Sequence, residues 1–227
     1  MLKPTLERYL VLKRSLKRIS FQDFFDDYKK FVVNKEEKNM KKFKKLIGER
    51  IYLSPRSVED TELYTKWLND MEVTDYIGRT SSVMTYDAEV KYLETRNLDM
   101  EPSFAIVTLE DDQLIGSISL ENINTSNRTA VLGIFIGDEN YRSNGYGTEA
   151  IKLLLDFGFN YMNLNSIKLD LVSCNERALK CYKKCGFKEC GRWRKSKFVN
   201  GKYYDTIIMD ILAEEFTGSY IKNKVIK

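Results

Sequence analysis

The stretch that most constrains this chain runs from Val131 to Gly147: Val-Leu-Gly-Ile-Phe-Ile-Gly-Asp-Glu-Asn-Tyr-Arg-Ser-Asn-Gly-Tyr-Gly. An apolar run empties into a short polar turn carrying Arg142, Gly145 and Gly147. Directly behind it, Thr148 to Tyr161 holds Ile151, Leu154, Leu155, Phe157, Gly158 and Phe159, the pattern of a largely buried helix. A strand, a glycine turn and a helix start make one of two things. The bland reading is a helix-capping loop. The sharper one is an anion site, because glycine allows close backbone approach, first-turn N–H groups lack intrahelical partners, and the helix dipole favours negative charge. Arg142 offers a permanent cation suited to phosphate oxygens.

Composition narrows what such a segment could serve. The 227 residues are 43% hydrophobic and 31% charged, which fits a globular domain with an extension. No apolar run approaches the roughly 20 residues of a membrane span. The opening Met-Leu-Lys-Pro-Thr-Leu-Glu-Arg has no apolar signal core, so a cytoplasmic location is expected. The chain has no histidine, which excludes Ser-His-Asp and Cys-His nucleophilic chemistry. Cys174, Cys181, Cys185 and Cys190 lack the paired spacing of a zinc site and read as buried, reduced thiols, with no metal implied.

Charge divides the chain in two. Residues 1–48 hold 14 Lys/Arg against 6 Asp/Glu, a net of +8, whereas the remainder holds 23 against 27. Residues 1–48 are therefore expected to be a basic helical extension and residues 49–227 a separate domain. Leu2 to Ile19 is loosely helical, Phe21 to Val32 carries an aromatic stripe at three- and four-residue steps, and Lys35 to Ile47 reads as a third helix. The stripe can pack on the following domain or on another copy. Alternatively, the basic face meets RNA, a ribosomal surface or a membrane surface.

From Arg50 the texture changes. A strand over Arg50–Arg56 precedes a helix through Leu63, Tyr64, Trp67 and Leu68, a loop over 69–85 and a helix over Tyr86–Leu98. Strands follow at Ser103–Leu109, Leu114–Leu120 and Ala130–Ile136, joined by polar turns that imply antiparallel pairing. After the glycine turn and its helix come a strand at Ser166–Val172, a helix from Asn175 to Cys185 stopped at Gly186, and a hairpin over Phe187–Ile211 turning at Asn200-Gly201.

That order, with Arg142-Ser143-Asn144-Gly145-Tyr146-Gly147 after the Ala130–Ile136 strand, resembles the GNAT N-acetyltransferase superfamily over roughly residues 50 to 216. Within it the chain is most similar to the RimJ/RimL-type and spermidine acetyltransferase-like branch. Further stretches carry the likeness: Trp67-Leu68-Asn69-Asp70 with Glu72-Val73-Thr74, Leu114-Ile115-Gly116, Asn175 to Phe187, and Asn200-Gly201-Lys202-Tyr203-Tyr204-Asp205. The resemblance implies an α+β fold, a mixed, mostly antiparallel seven-stranded sheet flanked by helices.

It also implies acetyl-CoA as co-substrate, lying in a V-shaped gap between the strands at 130–136 and 166–172. Backbone groups of Ile134, Phe135 and Ile136 would pair with the pantetheine amides. The turn Arg142, Ser143, Asn144, Gly145, Tyr146 and Gly147 would cradle the pyrophosphate. Asn175 would contact the cofactor while also serving as a helix N-cap. Tyr182, which by position alone reads as a core tyrosine, would stand near the thioester sulfur. A phenol there can protonate the departing thiolate.

One position departs from the pattern. Many relatives carry Glu where this chain has Val131, on the route that deprotonates the amine. Glu121, at the end of the preceding strand, is the substitute base expected here, and an exposed loop-edge acid is its plain alternative. The implied reaction is direct attack of a primary amine on acetyl-CoA in a ternary complex. The acceptor would be a peptide N-terminus, a polyamine or another small amine, and a homodimer is expected. The competing reading is a non-catalytic acyl-CoA-binding module docked on RNA or ribosomes through residues 1–48.

Overall fold

A computed structural model describes residues 42–99 and 101–222 of the chain. The helices expected over 2–19 and 21–32, and most of the third, lie outside these residues.

One eight-stranded sheet organises the domain, in the order β1-β2-β3-β4-β5-β6-β8-β7. Its strands are β1 (Leu46–Ile47), β2 (Ile51–Pro55), β3 (Ser103–Thr108), β4 (Leu114–Asn124), β5 (Thr129–Ile136), β6 (Ser166–Val172), β7 (Lys188–Val199) and β8 (Lys202–Leu212). The expected count was seven. The eighth is β1, and it corrects the helix expected to run to Ile47. Phe43 N donates to Ser54 Oγ at 3.0 Å, Lys45 N to the Leu53 carbonyl at 3.0 Å, and Gly48 N to the Ile51 carbonyl at 2.9 Å. Backbone groups tied to β2 cannot also serve a helix. The helical face fails as well: Leu46 is buried, but Phe43 is 68% exposed.

The helices are α1 (Thr61–Leu68), α2 (Met71–Thr74), α3 (Tyr86–Asp99), α4 (Tyr146–Asn160) and α5 (Glu176–Lys184). The short α2 stands inside the loop expected over 69–85, capped by the Asp70 carboxylate accepting from Glu72 N at 2.9 Å. Asn69 holds the rest of that loop: its Nδ2 donates to the Thr65 and Met84 carbonyls, and its Oδ1 accepts from Met84 N.

Strand alternation sorts the side chains onto two faces. Leu132, Ile134, Ile136, Ile167, Leu169 and Leu171 pack with Ile151, Leu154 and Leu155 of α4. The opposite face packs Tyr52, Ala105, Val107 and Phe135 against Tyr64, Trp67 and Leu93. There Phe135 meets Tyr64 and Trp67 edge-on, with ring centroids 6.4 and 6.2 Å apart. Asp156 of α4 is fully buried, and its carboxylate accepts from Tyr220 N, Ile221 N and Asn160 Nδ2. A buried charge satisfied in this way fastens the C-terminal segment to the helix.

Candidate active site

All pairings in the sheet are antiparallel except β5 with β6. That parallel pairing covers only Thr129↔Ser166, Ala130↔Ile167 and Val131↔Lys168. Along its other edge β5 stays registered with β4 as far as Gly116↔Ile136. From Leu132 onward, then, the β6-facing edge of β5 leaves the ladder and the two strands diverge. A cleft of about 870 Å³ opens there. Ile134, Phe135 and Ile136 line it, with main-chain polar groups that a guest must satisfy.

The N-terminus of α4 closes one end of the cleft. Gly145 is its N-cap at φ +86, a left-handed conformation that glycine adopts without strain, and Ser143 stands at φ +64. Gly147 has a different logic. A Cβ there would lie 3.9 Å from Ile136 and 4.0 Å from Ile134, ordinary contacts that the chain itself would tolerate. The missing side chain therefore leaves room over the first-turn N–H groups of a 15-residue helix. An anion with its own acceptor atoms fits that place, and the pyrophosphate of acetyl-CoA is such a group.

Arg142 is engaged differently from the expectation. Its Nε donates to the Ile136 carbonyl at 3.2 Å and its Nη2 to the Gly137 carbonyl at 2.7 Å. Nη1 meets Glu72 at 3.4 Å, and the guanidinium lies 3.9 Å from Asp70. The cation read from the sequence as a phosphate partner caps the carbonyls at the end of β5 and ties α2 to the turn. It still lines the cleft, as do Ser143, Gly145 and Gly147.

Asn144 and Tyr146 are not among the lining residues. The Asn144 carbonyl accepts from Arg50 Nη1 at 3.0 Å, its Nδ2 donates to the Asn140 carbonyl, and the Tyr146 ring lies 4.4 Å beneath the Arg50 guanidinium. Arg50 also pairs with Glu149 in the first turn of α4, at 3.1 Å. The Glu149 carboxylate in turn accepts from Glu49 N at 2.7 Å and Arg50 N at 2.8 Å. The Arg50–Glu149 pair that braces the turn was not singled out from the sequence. Its members stand 99 positions apart, and no local pattern joins them.

The far wall belongs to α5. Asn175 is its N-cap: Oδ1 accepts from Ala178 N at 3.0 Å and Nδ2 donates to the Tyr76 carbonyl at 3.4 Å. Tyr182 lines the cleft with its ring packed edge-on to Phe187, centroids 6.0 Å apart. Burial, then the charges of Cys181, Cys185 and Asp170, push its phenol above the ordinary value of 10. The hydroxyl therefore stays protonated and available as a donor through neutral pH. Cys181 also lines the cleft, its Sγ 3.2 Å from Thr148 Oγ1. Its thiol is drawn below the usual range by hydrogen bonding to Cys185 and Thr148. The expectation of buried thiols holds for Cys185 alone: Cys174 and Cys181 are half-buried and Cys190 is exposed. No metal-holding cluster occurs among the described residues.

Glu121 lies on β4 opposite Val131 and lines the same cleft. Its Oε1 accepts from Ser119 Oγ at 3.0 Å. The register shifts immediately afterwards, between Glu121 and Asn124, and such a break re-aims the side chain beside it. The structure thus brings Tyr182, Glu121 and the α4 N-terminus to one opening.

Residues 50–188 match the family described as Acetyltransferase (GNAT) domain, and the chain belongs to that family. Its activity is accordingly that of an N-acetyltransferase drawing on acetyl-CoA. Among curated proteins it is similar to the uncharacterized N-acetyltransferase p20 of Bacillus licheniformis, 27% identical over 176 residues, 76% of this chain and 98% of that protein. It is likewise similar to the probable N-acetyltransferase YjcK of Bacillus subtilis, 31% identical over 74% of this chain and 96% of that protein. Among solved structures, spermidine N-acetyltransferase from Vibrio cholerae in complex with CoA and spermine superposes with a TM-score of 0.68. That pair is 26% identical and covers 73% of this chain and 97% of the other. The binding-module reading finds no support in these relatives, whose names are those of acetyltransferases.

Proposed function

We propose that the protein acetylates the primary amine of a small cationic acceptor or a peptide N-terminus, by direct attack within a ternary complex. The observation that carries this reading is the end of β5–β6 pairing at Val131↔Lys168, where Tyr182, Glu121 and the first turn of α4 meet. Acetyl-CoA, when bound, supplies the acetyl group and a thiolate leaving group. Gly145 and Gly147 open the α4 N-terminus to phosphate oxygens, and the free edge of Ile134–Ile136 orients an extended amide-bearing chain. A main-chain N–H on that edge polarises the thioester carbonyl. Tyr182, held in its protonated form, gives a proton or a hydrogen bond to the departing sulfur.

The attacking amine must be neutral, although a free alkyl ammonium holds its proton to about pH 10. Glu121, oriented by Ser119, takes that proton. The spermine- and CoA-bound relative supports a polyamine as one acceptor class. The net −4 of residues 49–227 favours cationic acceptors in general. A cytoplasmic setting and a homodimer belong to the same proposal, as does contact of the basic residues 1–48 with RNA.

Thiol release from acetyl-CoA, measured with spermidine, putrescine and an alanine-terminated peptide, tests the reading. Amine-dependent release with at least one of the three is expected. Release no faster than without amine would overturn it.

A further inference from the structure

The face of the sheet turned away from α4 carries a second acid at the gap. On β6, Ile167, Leu169 and Leu171 belong to the core beneath α4, whereas Lys168 and Asp170 alternate with them and are exposed. On β4 and β5 the same outer face carries Glu121↔Val131 and Ser119↔Gly133. Past Val131↔Lys168 the strands part, so Asp170 stands on the β6 lip of the opening while Glu121 lies on the β4 side. Between them Gly133 has no side chain. A Cβ there would approach Ser119 Oγ at 3.4 Å and Glu121 Oε1 at 3.9 Å, so the glycine keeps the floor open.

The two acids are differently employed. Glu121 is held by the Ser119 hydroxyl. Asp170 is fixed in position through its strand, paired with Ile208 of β8, and no ion pair engages its carboxylate among the described residues. The charged neighbours on its own face are Lys168, two residues along the same strand, and Asp210, which β8 sets opposite Lys168. Asp170 also lies near enough to Tyr182 for its charge to act on that phenol.

We propose that Asp170 anchors the acceptor, its carboxylate receiving the ammonium of the incoming amine on the β6 lip of the gap while Glu121 faces the attacking nitrogen from the β4 side. The assignment rests on the amine-acetylation reading and supplies a specificity determinant for it. With the cofactor's phosphates at the α4 N-terminus, as proposed above, an acceptor arriving on the opposite face of the sheet meets Asp170 at the entrance. A carboxylate is also what such a site needs, because nearly every alkylamine arrives protonated at neutral pH.

The test compares wild type, Asp170→Asn and Asp170→Glu by thiol release, using whichever of spermidine, putrescine or the alanine-terminated peptide wild type turns over best. An exposed charge pair with a charged hydrogen bond predicts about a three- to tenfold rise in the amine KM for Asp170→Asn. The acetyl-CoA KM and the thermal midpoint should stay at wild-type values, and Asp170→Glu should recover most of the loss. An unchanged amine KM, an equal rise in the acetyl-CoA KM, or a Glu variant no better than Asn would overturn the assignment. Absence of amine-dependent release in wild type would instead overturn the acetylation reading itself, and this assignment with it.

Discussion

The two ends of β5 are built from similar apolar residues and do opposite work. Thr129–Val131 is paired on both sides, with β4 and β6, and is ordinary sheet. Leu132–Ile136 is paired with β4 alone and presents its other edge to the cleft. Side-chain chemistry does not distinguish the two ends, since Val131, Leu132, Ile134 and Ile136 are all aliphatic. What differs is whether β6 follows. On the proposed reading, the cofactor half of the site is made of main chain and missing side chains, and the acceptor half of the carboxylates Glu121 and Asp170, carried by separate strands.

The largest effect should come from refilling the space that a missing side chain leaves. Gly147→Val would put bulk over the α4 N-terminus, and the acetyl-CoA KM should rise by about a hundredfold or more, of the order of two lost charged hydrogen bonds. The thermal midpoint should move little, because the chain's own atoms leave ordinary contact distances there. A collapse in stability with unchanged cofactor affinity would break the contrast between the two ends of β5. Next is Tyr182→Phe, which should lower kcat by about a hundredfold, within the range of general acid catalysis, and leave both KM values near wild type.

Arg142→Ala sharpens the distinction between bracing and binding. Losing the ties to the Ile136 and Gly137 carbonyls should cost about 1–3 kcal/mol of stability, and Arg142→Lys should not restore it, because one ammonium cannot reproduce the fork. Glu121→Gln should reduce turnover about three- to tenfold, most at low pH, where neutral amine is scarcest; a parallel pH profile would remove it as the base. The smallest effect concerns alkaline stability. Tyr64 and Tyr182 are both raised above 10, chiefly by burial. Above pH 10 the unfolded chain therefore loses phenolic protons that the folded chain keeps, and stability declines with rising pH. Tyr182→Phe should flatten that decline in a denaturation series from pH 8 to about 11.

Legibility in the sequence followed the range of the interactions. The 3.6-residue pattern of α4, the alternation of β6 and the Asn-Gly turn of the last hairpin are local, and each stands where it was expected. So is the cap at Asn175, because an N-cap is decided within three residues. β1 was missed because a two-residue edge strand has no periodicity of its own; its pairing with β2 defines it. The turn's own sequence does not reveal the ties of Arg142 to Ile136, Gly137, Asp70 and Glu72, because those partners come from a strand end and a distant helix. The contacts of Arg50 with the Asn144 carbonyl and the Tyr146 ring are likewise invisible in the turn's own sequence. Asp170 carried no motif at all. Its interest arises only once β5 and β6 part.

Amide hydrogen exchange across β5 and the start of α4, with and without coenzyme A, tests the division of β5 most directly. Slowed exchange at Leu132–Ile136 and Gly145–Thr148, with Thr129–Val131 unchanged, is the predicted result. Protection confined to Thr129–Val131, or no protection anywhere in the segment under saturating coenzyme A, would contradict it.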